Sequence, residues 1–95
     1  MRKRGRVDDN QREIVKAMRD FGASVWITSN LGDGGPDAVV AVQGNTALVE
    51  IKNREGKGVK LTADEQAFRS SWRGRYEVVT SVAEALTVCA SLRSA

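Results

Sequence analysis

Along the chain, apolar positions change their spacing several times, and each change marks an element. Ile14, Val15, Met18 and Phe21 recur at helical spacing, and Gly22 ends the pattern. Asn10, with Glu13 three residues on, reads as a capping box, so a first helix is expected over 10–21. SVWIT (24–28) reads as a strand. A glycine-rich stretch, NLGDGGP, follows and closes on the only proline of the sequence. DAVVAV (37–42) and NTALVEIK (45–52) are dense in β-branched residues and separated by a tight QGN turn, the pattern of an antiparallel hairpin.

After the polar, basic loop NREGKGVK, the spacing turns helical again. LTADEQAFRSSW (61–72) opens on a second capping box, Thr62 with Glu65, and sets Leu61, Phe68 and Trp72 on one face. YEVV (76–79) is a short strand. SVAEALTVCASL (81–92) starts with a third box, Ser81 with Glu84, and is expected to bury Val82, Leu86, Cys89 and Leu92. The order α-β-β-β-α-β-α predicts an α/β fold, a central sheet with helices on both faces. Trp26, Trp72 and Cys89 are all expected in its core, Cys89 as a small hydrophobe.

Three charges break the apolar pattern of the hairpin. Alternation in the third strand puts Thr46, Leu48, Glu50 and Lys52 on one face and Ala47, Val49 and Ile51 on the other. Asp37 begins the partner strand, and the turn lies at the far end, so Asp37 returns beside Glu50 and Lys52. Pairing Val40 with about Leu48 sets it within a residue or so of Ile51. Two carboxylates about 4 Å apart repel by roughly 4 kcal/mol at an effective dielectric of 20. A shared proton, Lys52 or a divalent cation must relieve this. Oxygen ligands alone suit Mg²⁺. The alternative is a structural salt-bridge cluster at a strand end.

Composition narrows the chemistry. The 95 residues suit one domain, and the 41% hydrophobic and 28% charged fractions suit a globular chain. Absence of histidine removes the Ser-His-Asp triad and His-bound zinc, and a single cysteine removes an internal disulfide and a multi-Cys zinc site. No apolar run is long enough for a membrane span, and the expected compartment is the cytoplasm. Of the net charge of +3, Arg2, Lys3, Arg4 and Arg6 supply more than the whole. Residues 1–8 are thus read as a basic arm suited to phosphate or to solubility, and 9–95 as the domain.

Pro36-Asp37, then twelve residues, then Glu50-Ile51-Lys52, with KLTADEQAF following, resembles the PD-(D/E)XK nuclease superfamily. The stretch from GGPD through VEIK, KLTADEQAF and YEVVTSVAEAL is similar to its VRR-NUC branch, near the small stand-alone members of phages and prophages. The opening VDDNQREIVKAMRDFGASV fits those members too. The resemblance implies a restriction-endonuclease-like fold with a mixed central sheet, and hydrolysis of DNA phosphodiesters with Mg²⁺ or Mn²⁺. It implies Asp37, Glu50 and the Ile51 carbonyl as metal ligands, with Glu13 as an additional acid. Lys52 would be the catalytic lysine and Gln66 its support from the second helix. Lys57 and Lys60, with the basic arm, would hold DNA, duplex or branched as for the related Holliday-junction resolvases, and a homodimer is expected. No small-molecule cofactor is expected. The other reading is a non-catalytic DNA-binding or regulatory protein that keeps the fold.

Overall fold

A computed structural model describes residues 3–53 and 60–95, with side chains from Asn10 onward. Its elements are α1 (Lys3–Phe21), β1 (Ser24–Ile27), β2 (Ala38–Val42), β3 (Asn45–Ile51), α2 (Ala63–Ser71), β4 (Tyr76–Val79) and α3 (Val82–Ser94). The order is the one expected. The sheet is mixed, β1-β2-β3-β4, with β1/β2 and β2/β3 antiparallel and β3/β4 parallel.

The hairpin turn is Gln43-Gly44, with φ of 50° and 87°. Positive φ at both central residues is the mark of a type I′ turn, whose twist matches that of the flanking strands. It fixes Val42 opposite Asn45, Val40 opposite Ala47 and Ala38 opposite Val49. That is one residue off the expected Val40–Leu48 pairing, and it places Asp37 beside Glu50.

The core lies on one face of the sheet. Ala38, Val40, Val42, Ala47, Val49, Ile51 and Val79 meet Ile14, Val15 and Met18 of α1 and Ala85, Val88, Cys89 and Leu92 of α3 in one buried cluster. Cys89 is the core residue expected; Leu86 and Val82 are only half-buried. Asn45 ties this layer to the hairpin, its side-chain amide donating to the Leu92 carbonyl at 2.8 Å. The Ser81 hydroxyl accepts from the Glu84 amide, as predicted, but the Glu84 carboxylate takes the Thr80 amide at 2.7 Å instead of the Ser81 amide.

Among the described residues, helix α2 sits alone on the opposite face. Its capping box is complete: Thr62 Oγ1 accepts from the Glu65 amide, and the Glu65 carboxylate accepts from the Thr62 amide. It buries none of its residues. The expectation of helices on both faces holds, with unequal layers. Both tryptophans are corrected: Trp26 is 67% exposed, because a single short helix cannot cover four strands, and Trp72, the C-cap of that helix, is 44% exposed.

The first helix starts at Lys3, seven residues before the expected cap. Asn10 is therefore a mid-helix residue, and its amide donates to the Lys52 carbonyl at 3.4 Å. The backbone of Lys3, Arg4 and Arg6 belongs to the first turns of α1, so the basic segment read as an arm is helical from Lys3. Among the described residues, no helix is long and apolar enough to cross a membrane.

Candidate functional site

Where β2 begins and β3 ends, Asp37, Glu50 and Lys52 converge as the alternation requires. Asp37 is held by the backbone around it. Its amide donates to the Val49 carbonyl at 3.1 Å, and its carbonyl accepts from the Thr28 amide at 2.8 Å. Its own carboxylate accepts from the Ile51 amide at 2.7 Å. The Thr28 hydroxyl, buried, donates to the Pro36 carbonyl at 2.8 Å and fixes the exit of the glycine-rich loop. Ile51 thus meets Asp37 through its N–H.

Glu50 lies deeper. It is 3% exposed, and its Oε1 has no hydrogen-bond partner among the described residues. Lys52 Nζ stands 3.6 Å from Glu50 Oε2 and 2.7 Å from Glu65 Oε1. Glu65 is the residue that sequence reading missed. Its carboxylate serves the helix cap and the lysine together, and the sequence shows only the first of these roles. The available signal was spacing: Leu61, Glu65, Phe68 and Trp72 recur by four, three and four, so Glu65 rides on the stripe that faces the sheet.

Gln66 is placed differently from the expectation. It is exposed, and its amide donates to the Leu61 carbonyl at 3.1 Å. Two positions from Phe68 along a helix, it turns away from the sheet, and α2 reaches Lys52 through Glu65 instead. Glu13 is exposed on α1. Among the described residues, no three His, Cys, Asp or Glu side chains are grouped to hold a metal. Lys60 is exposed and lines a shallow cleft of about 560 Å³ with Leu61, Gln66, Arg69 and Ser70. Arg2 and Lys57 lie outside the described residues, as do the side chains of Lys3, Arg4 and Arg6.

The electrostatics follow from burial. Glu50 is pushed up to about 8, first by burial and then by the charges of Asp37 and Glu65. Asp37 is also raised by burial, against the pull of the Ile51 amide and of Lys52. Burial works against a charge on Lys52, but its bond to Glu65 and the two neighbouring carboxylates outweigh this and raise it above its ordinary value. Lys52 therefore keeps its proton at neutral pH. Glu65 is lowered: burial opposes the shift, and the Lys52 bond with the Thr62 amide prevails. Tyr76, on the same face, goes up to about 12, through burial and then the charges of Glu50 and Glu65, and its hydroxyl also lacks a partner among the described residues.

A buried carboxylate with an unpartnered oxygen, beside a second carboxylate that raises it, is a costly arrangement when both are charged. The donors are oxygens only. Two carboxylates fit Mg²⁺ or Mn²⁺, since Mg²⁺ takes one or two carboxylates and keeps several waters. Comparison of the chain with protein-family models, with curated proteins and with solved structures gave no match.

Proposed function

We propose that this chain is a divalent-metal-dependent DNA endonuclease of the restriction-endonuclease-like fold, of the PD-(D/E)XK kind. One observation carries the reading: the Glu50 carboxylate, buried and with one oxygen unpartnered among the described residues, stands beside Asp37 and within 3.6 Å of the Lys52 ammonium. The element order and the mixed sheet support it.

Asp37 and Glu50 would hold the metal. When bound, a divalent ion supplies an activated water and polarises the phosphodiester. Asp37 is pre-oriented by the Ile51 amide, so it presents its remaining lone pairs without rearranging. Lys52, still protonated, is no general base; it places positive charge where the phosphorane-like transition state gains negative charge. Glu65 holds that ammonium in position, and its cap bond to Thr62 prevents it from swinging away. The Lys60/Arg69 cleft and the basic start of α1 would take neighbouring phosphates of duplex or branched DNA. A homodimer would make paired cuts, and sedimentation would show it at micromolar concentration.

The test is cleavage of end-labelled four-way junction, flap, linear duplex and single-stranded DNA with Mg²⁺, Mn²⁺ or EDTA. Metal-dependent cutting should fall at least about a hundredfold in Lys52→Ala and in Glu50→Ala. A second reading has its own observation. The 2.7 Å bond from Lys52 to Glu65 already neutralises part of the cluster without any metal, as a non-catalytic DNA-binding protein would require. A folded wild type that binds DNA, cuts none, and gains no thermal stability from Mn²⁺ would establish that reading.

A further inference from the structure

The two tryptophans expected in the core both stand exposed, and Trp26 shares its face of the sheet with the acids. Strand pairing sets Trp26 opposite Val39, Val39 opposite Leu48, and Leu48 opposite Tyr76, one row across all four strands. At the far end of that row the Arg69 guanidinium lies over the Tyr76 ring, 5.7 Å from its centroid. Asp37 and Glu50 form the next row on the same face. Two residues along a strand is about 7 Å and neighbouring strands are about 5 Å apart, so the Trp26 backbone lies roughly 8 Å from that of Asp37 and roughly 12 Å from that of Glu50.

Charge is arranged to match. Lys60 and Arg69 line one cleft beside Tyr76, and neither has a carboxylate partner among the described residues. A ligand for this face must offer a flat apolar surface and anionic groups together. A nucleic-acid strand with unpaired bases does so; a duplex hides its base faces in its own stack. Strand addition by a second copy suits the place less well. The Val25 carbonyl, on the outer edge of β1, already accepts from Arg19 at 2.9 Å.

We propose that Trp26 is a base-stacking residue, holding an unpaired base of the DNA strand whose phosphate lies at Asp37 and Glu50, while Arg69 takes a backbone phosphate at the other end of the row. This rests on the nuclease reading only for the strand's position. Trp26 becomes the residue that selects substrates with unpaired bases near the cut.

The test is binding without catalysis, in EDTA, of a fluorescein-labelled oligothymidylate and of a blunt duplex of equal length. Trp26→Ala should weaken oligothymidylate binding roughly 5- to 100-fold and leave the duplex within about twofold. Trp26→Phe should restore most of the loss. In a Trp72→Phe background, Trp26 fluorescence should quench as the oligonucleotide binds. Equal losses on both DNAs, no loss on either, or no binding by folded wild type would each overturn the proposal. So would a dimer seen by sedimentation that Trp26→Ala abolishes, since a second copy would then cover the face. Cleavage is read separately: Lys52-dependent cutting with Trp26→Ala neutral in binding sinks this inference alone. Trp26-dependent binding with no cutting sinks the nuclease reading alone.

Discussion

The two faces of the sheet are built from the same strands and obey opposite rules. On the α1/α3 side, Val49 and Ile51 lie among buried apolar residues from four other elements. On the α2 side their neighbours Glu50 and Lys52 form a charged cluster, and Trp26 faces solvent. A domain of this size has apolar surface enough for one well-packed layer, about 25 cal/mol per Å² buried, and the second layer is left thin. Stability is thus concentrated on one side, and the other is free to hold groups that cost stability.

Substitution tests that division most strongly in the packed layer. Leu92→Ala or Ile14→Ala should cost about 2–5 kcal/mol in denaturant unfolding, as large-to-small changes in a close-packed core do. Trp26→Ala should stay within about 0.5 kcal/mol of wild type. A cost above about 2 kcal/mol for Trp26→Ala would mean that the two faces are not so different.

Glu50 sharpens the contrast through pH. Its folded pKa of about 8 lies above the ordinary 4.5, so between those values the folded state binds more protons than the unfolded state. Stability must therefore fall as pH rises through that window, and level off above pH 8. Glu50→Gln should flatten the slope, raise stability at pH 8 by about 2–3 kcal/mol and, on the nuclease proposal, abolish cleavage. Melting curves from pH 5 to 9 in EDTA read this directly. A wild type that grows more stable over that range would contradict it.

A smaller effect is expected where α2 meets the sheet. Gly34 has φ of 74°, and a Cβ there would stand 2.5 Å from the Asp64 carbonyl oxygen. Gly34→Ala must push α2 outward, at about 1–3 kcal/mol, and loosen the Glu65–Lys52 bond with it. On the nuclease proposal, cleavage should fall with DNA affinity nearly kept. The smallest effect belongs to the turn: Gln43→Asn should stabilise by about 0.5 kcal/mol, since asparagine tolerates positive φ better than glutamine.

Much of this was legible in the sequence because it is local. Capping boxes at Thr62 and Ser81, alternation in β3 and the Gln43-Gly44 turn each announce themselves within a few residues. The start of α1 did not. Asn10 and Glu13 mimic a cap, but the Asn10 side chain is spent on the Lys52 carbonyl, a long-range contact. Glu65 was hidden by the opposite effect, a sound local role that left no residue of evidence for a second one. The tryptophans misled because residue type speaks to preference, whereas exposure depends on how many helices reach each face.

The Gln43-Gly44 turn has a reach beyond its two residues. It lies at the far end of a five-pair ladder from Asp37 and Glu50, about 17–20 Å away. The ladder has no slack, so the turn acts as a gauge block that sets how the two carboxylates face each other. One residue added there would flip the side chains of a strand to the other face and carry one acid into the dry layer. The most remote loop of the hairpin therefore governs the spacing of the chemistry at its opposite end.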